Sequence, residues 1–519
     1  MSNPTGWKPS MEKEGASAAV DAPGLGGAVR GLVYEEPLVF EHGSRGRCGV
    51  SLPAPGPAAA DDLPAALVRG GIEGLPELSE LEVVRHFTRL SVWNHGIDTG
   101  FYPLGSCTMK YNPKSSEALA RLPGFAGLHP LAPAEHAQGA LELMYALERA
   151  LSEIAGMDVT TLNPAAGAHG ELCGLMVIRA WHAAHGNPRK KVLIPDTAHG
   201  TNPASAALNG YACVQLASGP DGRLHPDTVA AAMDQDVAAI MITNPNTLGV
   251  FETDIAEIAR IVHAGGGLVY GDGANMNALL GNARPGDMGF DVIQYNLHKT
   301  FATPHGGGGP GSGPVSVKAT LAPFLPLPVV VKEGESYRLV TDRSERPQTI
   351  GRIHGFHGNF GMMVRAWAYL RELGPEGLKA TSDLAVLNAN YVRAALQGAY
   401  HLPYQTDSLH EVVFDDTAQK ETGVITMDVA KRLIDHGFHP PTIYFPLVVH
   451  GAIMIEPTES ESKETIDAFI SAMKDIAEEA RRDPEGLKAS PQKPFRARLD
   501  ETRAARKPVL RWTPGMKVE

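Results

Sequence analysis

The stretch Asn296-Leu-His-Lys-Thr300, continued by Phe-Ala-Thr-Pro-His305 and the glycine run 306–309, decides how this chain is read. It follows the apolar run Phe290-Asp-Val-Ile-Gln-Tyr295, so Lys299 stands at the end of a buried segment with glycines beyond it. Lysine seldom ends a buried segment unless it is paired or covalently used. A partly desolvated lysine can attack a carbonyl and form a Schiff base, and glycines let backbone approach a bulky ligand closely. The plain alternative is a solvated lysine at a strand-to-loop junction. The groups that converge on Lys299 separate the two readings.

Outward from this stretch, short apolar runs recur at Val192–Ile194, Val237–Ile242, Gly267–Gly271 and Val292–Tyr295. Helical patterns separate them at Glu171–Ala184, Pro226–Met233 and Ile255–His263. Fully apolar strands alternating with helices predict an α/β fold with a mostly parallel sheet covered on both faces. Ligands of such sheets bind beyond the carboxyl ends of the strands. Upstream, Leu141, Met144, Tyr145, Leu147, Leu151 and Ile154 follow helical spacing. Downstream, helices over Phe360–Arg371 and Leu384–Leu396 and strands at Val412–Phe414 and Ile453–Ile455 predict a smaller α+β unit. The expected organisation is an N-terminal arm with helical and loop pieces (1–125), a large domain (126–335), a small C-terminal domain (336–480) and an extended basic tail (481–519). Within the first part, the turn-rich block from Asp98 to Pro113 carries hydroxyl, amide and amine groups that suit a ligand-facing loop.

Each apolar strand ends in polar or glycine residues. Asp272 follows one strand, 27 residues before Lys299. It is either a turn or N-cap aspartate or an anion that keeps a heteroaromatic nitrogen protonated. Gly167 and Ala168 open the helix that begins near Glu171, and small residues there expose N–H groups suited to phosphate. His199 follows the strand at Val192–Ile194 and could lie on a flat ligand or move protons. Thr243 heads the Thr243–Thr247 loop after the next strand, and His298 flanks the lysine.

Composition narrows the function. A net charge of −12, with 46 Lys+Arg against 58 Asp+Glu, argues against a nucleic-acid or anionic-membrane surface. No stretch approaches the roughly 18 uncharged apolar residues of a membrane helix. The four cysteines, Cys48, Cys107, Cys173 and Cys213, have no metal-ligand spacing and suit a reducing compartment. Early acids, Glu12, Glu14 and Asp21, oppose a mitochondrial presequence, so the cytoplasm is expected.

A lysine, an acid, a flat-faced histidine and a phosphate-type turn together describe a fold-type I pyridoxal-phosphate site. The chain resembles the P-protein family of the glycine cleavage system, in its split two-chain form. The resemblance is carried by Asp98–Pro113, Gly167-Ala-His-Gly-Glu171, Ala198-His-Gly-Thr-Asn-Pro-Ala-Ser205, Asn296–Thr300, Gly355-Phe-His-Gly-Asn-Phe-Gly361 and Ile455-Glu-Pro-Thr-Glu-Ser460, from about residue 80 to the C-terminus. It implies that Lys299 bonds pyridoxal 5'-phosphate, that Asp272 pairs with the pyridine nitrogen, and that His199 stacks on the ring. It also implies that N–H groups at Gly167 and Ala168 hold the phosphate, with His298 and Thr243 alongside and the Ser106–Lys110 loop at the border. His169, inside the phosphate turn, competes with His199 for the stacking role. The implied reaction is glycine decarboxylation, with the aminomethyl group passed to the lipoyl arm of the H-protein. At 519 residues the chain is about half a single-chain P-protein, which implies an alpha chain in an α2β2 assembly. The rivals are an aminotransferase, for which Arg352 and Arg365 could hold a substrate carboxylate, another amino-acid decarboxylase, and a non-catalytic scaffold subunit.

Overall fold

In the computed structural model, residues 8–9, 30–53, 56, 64–70, 74–305, 311–513 and 516 are described. The glycine run 306–309 and most of the first 30 residues lie outside the described residues. The chain divides into two units, residues 1–100, 431–439 and 485–519 in the first, and 101–430 and 440–484 in the second.

The second unit is built on a seven-stranded sheet of β1 (Val159–Thr161), β2 (Lys191–Pro195), β3 (Ala212–Leu216), β4 (Val237–Thr243), β5 (Leu268–Gly273), β6 (Val292–Tyr295) and β7 (Val315–Val317). The order is β1-β7-β6-β5-β4-β2-β3. The strands from β6 to β3 pair in parallel, and β7 is antiparallel to both of its neighbours. Period-2 alternation explains the two-faced burial. Leu193, Ile240, Ile242, Val269 and Ile293 join one core cluster with α1 (Gln138–Ala155). Val192, Ile194, Met241, Tyr270 and Val292 join another with α2 (Gly167–Ala184). Ile240 is fully buried at the centre, and its truncation to alanine would cost about 2–5 kcal/mol. The expected α/β class and mostly parallel sheet are therefore observed.

Three strands of this sheet escaped the sequence reading. β1 and β7 have three residues each, too few for periodicity, and β3 is an edge strand with mostly exposed side chains. After β7 come a hairpin, Val329–Glu333 with Ser336–Val340, and a three-stranded antiparallel sheet of Val412–Asp415, Ala452–Ile455 and Thr442–Ile443. The two helices expected over Phe360–Arg371 and Leu384–Leu396 form one run, Phe360–Leu396, broken at Gly374 (φ 62°, ψ −175°) ahead of Pro375. Proline removes a helix donor and clashes with the preceding turn, which places the break.

In the first unit, the helix Glu80–Ser91 starts at a Ser79–Glu82 capping box. Its His86 and Arg89 bond the buried Glu36 carboxylate. In the basic tail, the short helix Glu501–Arg506 is capped by Asp500, whose carboxylate accepts from the Arg503 N–H at 2.8 Å.

Candidate active site

Beyond β6, Asn296 precedes a one-turn helix, α3 (Leu297–Thr300), which sets Lys299 at the carboxyl end of the sheet. Lys299 is half-buried. Its Nζ donates to the Ser106 carbonyl at 2.8 Å. With the amide of Asn296 oriented to satisfy its neighbours, the Asn296 oxygen accepts from the same Nζ at 3.2 Å. The Ser106–Lys110 loop therefore borders the lysine, as expected. Ser106 and Thr108 both hold positive φ (62° and 32°), a backbone state that costs a non-glycine residue about 1–3 kcal/mol.

Asp272 is the penultimate residue of β5 and sits in register with Thr243 at the end of β4. Its buried carboxylate accepts from Gln294 Nε2 at 2.6 Å, the Ala274 N–H at 3.0 Å and Asn202 Nδ2 at 3.1 Å. Behind it Glu171 of α2 accepts from Thr201 Oγ1 at 2.7 Å. Burial first, then the Asp272 charge, pushes the Glu171 carboxyl up to about 7.

His199 packs edge-on against Phe445 at 5.6 Å, and its Nδ1 accepts from the Thr201 N–H at 3.2 Å. Packing around the ring lowers its pKa although the residue keeps substantial exposure; Asp272 opposes that shift and Lys299 adds to it. Its rival His169 lies instead near His354, ring centroids 6.2 Å apart, and its Nδ1 accepts from the Ala165 N–H. The electrostatic neighbours of His199 thus include Asp272 and Lys299, while His169 answers to burial and His354.

Gly167 and Ala168 open α2, whose N-cap Ala166 offers no side-chain acceptor to the first-turn N–H groups. A Cβ on Gly167 would stand 2.2 Å from the Asn296 side-chain amide, so only glycine lets the helix start rest on the residue that follows β6. His298 Nδ1 accepts from the Ser312 N–H at 3.3 Å, and its ring meets His305 edge-on at 5.2 Å. Burial pushes His298 down to about 3 and His305 to about 4, with the Lys299 charge adding to both.

The sequence reading missed three fully buried groups. His410 and Glu411 immediately precede the strand Val412–Asp415, and Glu456 follows Ala452–Ile455. Two adjacent ionisable residues ahead of an apolar strand were the available signal for the first pair; Glu456 lay in a quoted motif without a role. Of the candidate carboxylate-binding arginines, Arg365 is engaged by Glu117 at 2.7 and 2.8 Å and by the Gly361 carbonyl. Arg352 is exposed.

Comparison with known proteins shows the family. A protein of Listeria welshimeri named "Probable glycine dehydrogenase (decarboxylating) subunit 2" is 56% identical over 480 residues, 92% of this chain and 98% of the relative. The chain belongs to the glycine dehydrogenase (decarboxylating) subunit 2 family. A protein of the same name from Halalkalibacterium halodurans is also 56% identical, over 92% of this chain and 98% of its own length. A family model described as glycine dehydrogenase, C-terminal domain, matches residues 381–497. In solved structures the fold recurs in an inhibitor-bound glycine decarboxylase (P-protein) of the glycine cleavage system, with a TM-score of 0.67 and 22% identity over 80% of this chain and 93% of that one. It recurs in a glutamate decarboxylase of Lactobacillus brevis, with a TM-score of 0.61 and 14% identity over 83% and 96%. The fold is that of the fold-type I pyridoxal-phosphate enzymes.

Pyridoxal phosphate is the cofactor of this family, and the residues fit it. Among the described residues, Thr243 Oγ1, Asn202 Oδ1, Asn275 Oδ1 and His305 Nε2 are buried with no hydrogen-bond partner in the chain. Buried polar atoms rarely go unpaired, and these border the lysine, the acid and the uncapped helix start that such a cofactor requires. Among the described residues no helix is long and apolar enough to cross a membrane, and all four cysteines are free.

Proposed function

We propose that this chain is the cofactor-bearing subunit of a glycine decarboxylase. It releases the carboxyl group of glycine as carbon dioxide and passes the remaining aminomethyl group to the lipoyl arm of the H-protein. The observation that carries the reading is the Lys299 ammonium, held on a carbonyl and an amide oxygen beside the Asp272 strand end. A lysine held by neutral acceptors can be released to bond a carbonyl more readily than one locked to a carboxylate.

In this reading Lys299 bonds pyridoxal phosphate, and residues 126–335 are the large cofactor-binding domain, with 336–480 the small one. Asp272, aimed by Gln294 and Asn202, faces the pyridine nitrogen and keeps its proton in place. His199 lies over the ring, a role supported by the surroundings it shares with Asp272 and Lys299. The N–H groups of Gly167 and Ala168 take the phosphate, and Thr243 and His298 flank the ring. When bound, the cofactor supplies a sink for the electron pair left by the departing carboxyl group. The apolar strands behind the site keep water from the reacting centre. An alpha chain completes an α2β2 assembly in the cytoplasm; the need for a partner chain is supported by the subunit name of the relatives.

The test is release of labelled carbon dioxide from carboxyl-labelled glycine by the chain with its alpha partner and a lipoylated carrier. Release that requires all three is expected. No release with all three present would overturn the proposal, and carrier-independent amino transfer would favour an aminotransferase.

A further inference from the structure

We propose that Glu411 and Glu456 share one proton as a buried carboxyl pair, and that the pair is a positioning device for Lys299. It pins the Ser106–Thr108 loop, whose carbonyl holds Nζ, and it leaves a single negative charge facing the ammonium. The inference rests on the reading of Lys299 as the reactive amine.

The geometry is specific. Glu411 Oε2 accepts from the Ser106 N–H at 2.7 Å, and Glu456 Oε2 accepts from the Thr108 N–H at 3.0 Å. The two carboxyls thus grip the two residues of the loop that hold positive φ. A loop under that strain persists only where its surroundings over-determine it. Between the two gripped N–H groups, the Ser106 carbonyl accepts from Lys299 Nζ. Asn275 Nδ2 donates to the other oxygen of Glu411 at 3.3 Å. Glu456 Oε1 and both ring nitrogens of His410 are buried and make no hydrogen bond, His410 Nε2 standing 4.0 Å from Glu456 Oε1. Donor atoms of His410, Glu411 and Glu456 lie within 4.8 Å of one another.

Charge decides the protonation state. The groups acting on the pair are Lys299, Lys110 and His410, with Cys107 beside Glu456. Lys110 is already neutralised by Glu459 at 2.7 Å, and burial pushes His410 down to about 3, so it is neutral. Two ionised carboxylates would then leave a surplus negative charge in a buried pocket, which is costly. Like charges this close do not both ionise. Burial pushes Glu456 up to about 7 and raises Glu411 well above its usual range, with Glu456 adding to the latter. One proton on the pair balances one ammonium. A divalent cation held by the same three side chains would face the Lys299 ammonium, which disfavours it.

The reactivity of the Lys299 amine tests this without glycine, carrier or cofactor, so failure of the decarboxylase reading cannot mimic failure of the pair. The full chain is labelled briefly with an acylating reagent at pH 7, and Lys299 and Lys110 are quantified by mass spectrometry. With one charge on the pair, Glu411→Gln or Glu456→Gln alone leaves that charge on the remaining carboxylate, and Lys299 labelling stays within about twofold of wild type. The double variant removes it, and labelling of Lys299 rises about tenfold while Lys110 stays protected. If either single variant raises labelling severalfold, both carboxyls were ionised and the proposal fails. An unchanged Lys299 in a folded double variant means the pair carried no charge, which also overturns it. Where the double variant loses protection of Lys110, and so its fold, the single variants decide.

Discussion

Lys110 and Lys299 stand at opposite ends of the range of buried lysine environments, although both reach the interior of the same unit. Lys110 is 3% exposed. Its ammonium meets Asn277 Oδ1 at 2.6 Å, Glu459 at 2.7 Å, the Thr300 carbonyl at 3.0 Å and Tyr369 OH at 3.3 Å. Burial works against its charge, but Glu459 and then Tyr369 outweigh that and raise its pKa. Lys299 is half-buried and meets one carbonyl and one amide oxygen. An ammonium has three donors, so Lys110 is saturated and Lys299 is not. Burial alone does not make a reactive lysine; the number and charge of its partners do. The two are also linked, since Lys110 bonds the last residue of the helical turn that carries Lys299.

The sharpest way to break this contrast is Lys299→Ala. It is expected to abolish the visible absorbance of the bound cofactor and the release of carbon dioxide, while unfolding free energy changes by less than about 1 kcal/mol. Lys110→Met should do the reverse. Unpairing the partly buried Glu459 carboxylate is expected to cost about 3 kcal/mol in denaturant titration, with the cofactor absorbance retained in protein that folds at low temperature. A stable but colourless Lys110 variant would assign it a chemical role. Asp272→Asn should lower kcat about a hundredfold, the scale on which a single preorganised electrostatic contact acts, with steady-state kinetics as the readout.

Acid separates the two pockets more gently. His298, His305 and His410 have folded pKa values pushed down to about 3, 4 and 3 by burial. A histidine with a depressed folded pKa contributes stability that is present above its unfolded value near 6.5 and is lost as pH falls toward the folded value. These three histidines pull denaturation midpoints down as pH falls from 6.5 to 4. Glu171 and Glu456 make the opposite contribution, since their raised carboxyls take up protons over the same range. His410→Gln should leave the midpoint less reduced at about pH 4 than in wild type. An unchanged slope in that variant would remove His410 from the account. The smallest effect belongs to Arg365→Met. Loss of its partly buried pair with Glu117 should cost about 1 kcal/mol and leave the KM for glycine unaltered. A large rise in KM would instead give Arg365 the carboxylate-binding role of an aminotransferase.

How much of this was legible in sequence follows from where each group sits. The parallel sheet was readable because β2, β4, β5 and β6 are apolar on both faces and separated by helices. The short strands β1 and β7 were not, because three residues carry no period. Asp272 and Lys299 were legible because one lies at the carboxyl end of β5 and the other four residues beyond β6, and Gly167 because a helix start needing close approach calls for glycine. His410, Glu411 and Glu456 were illegible as a group. The Ser106 and Thr108 amides that they bond lie 305 and 348 residues away from Glu411 and Glu456, and no local pattern spans such a distance.

The sequence by itself therefore determined the chemistry-bearing ends of the sheet. In a parallel α/β layer every strand delivers its carboxyl end to the same side, so position after a strand already implies position in the site. Tertiary packing alone decided what those ends meet. It brought the Ser106–Thr108 loop and two distant carboxyls around Lys299 and wrapped Lys110 in four partners. Those choices arise from long-range packing and from the demand that buried charges be balanced, which no run of neighbouring residues encodes.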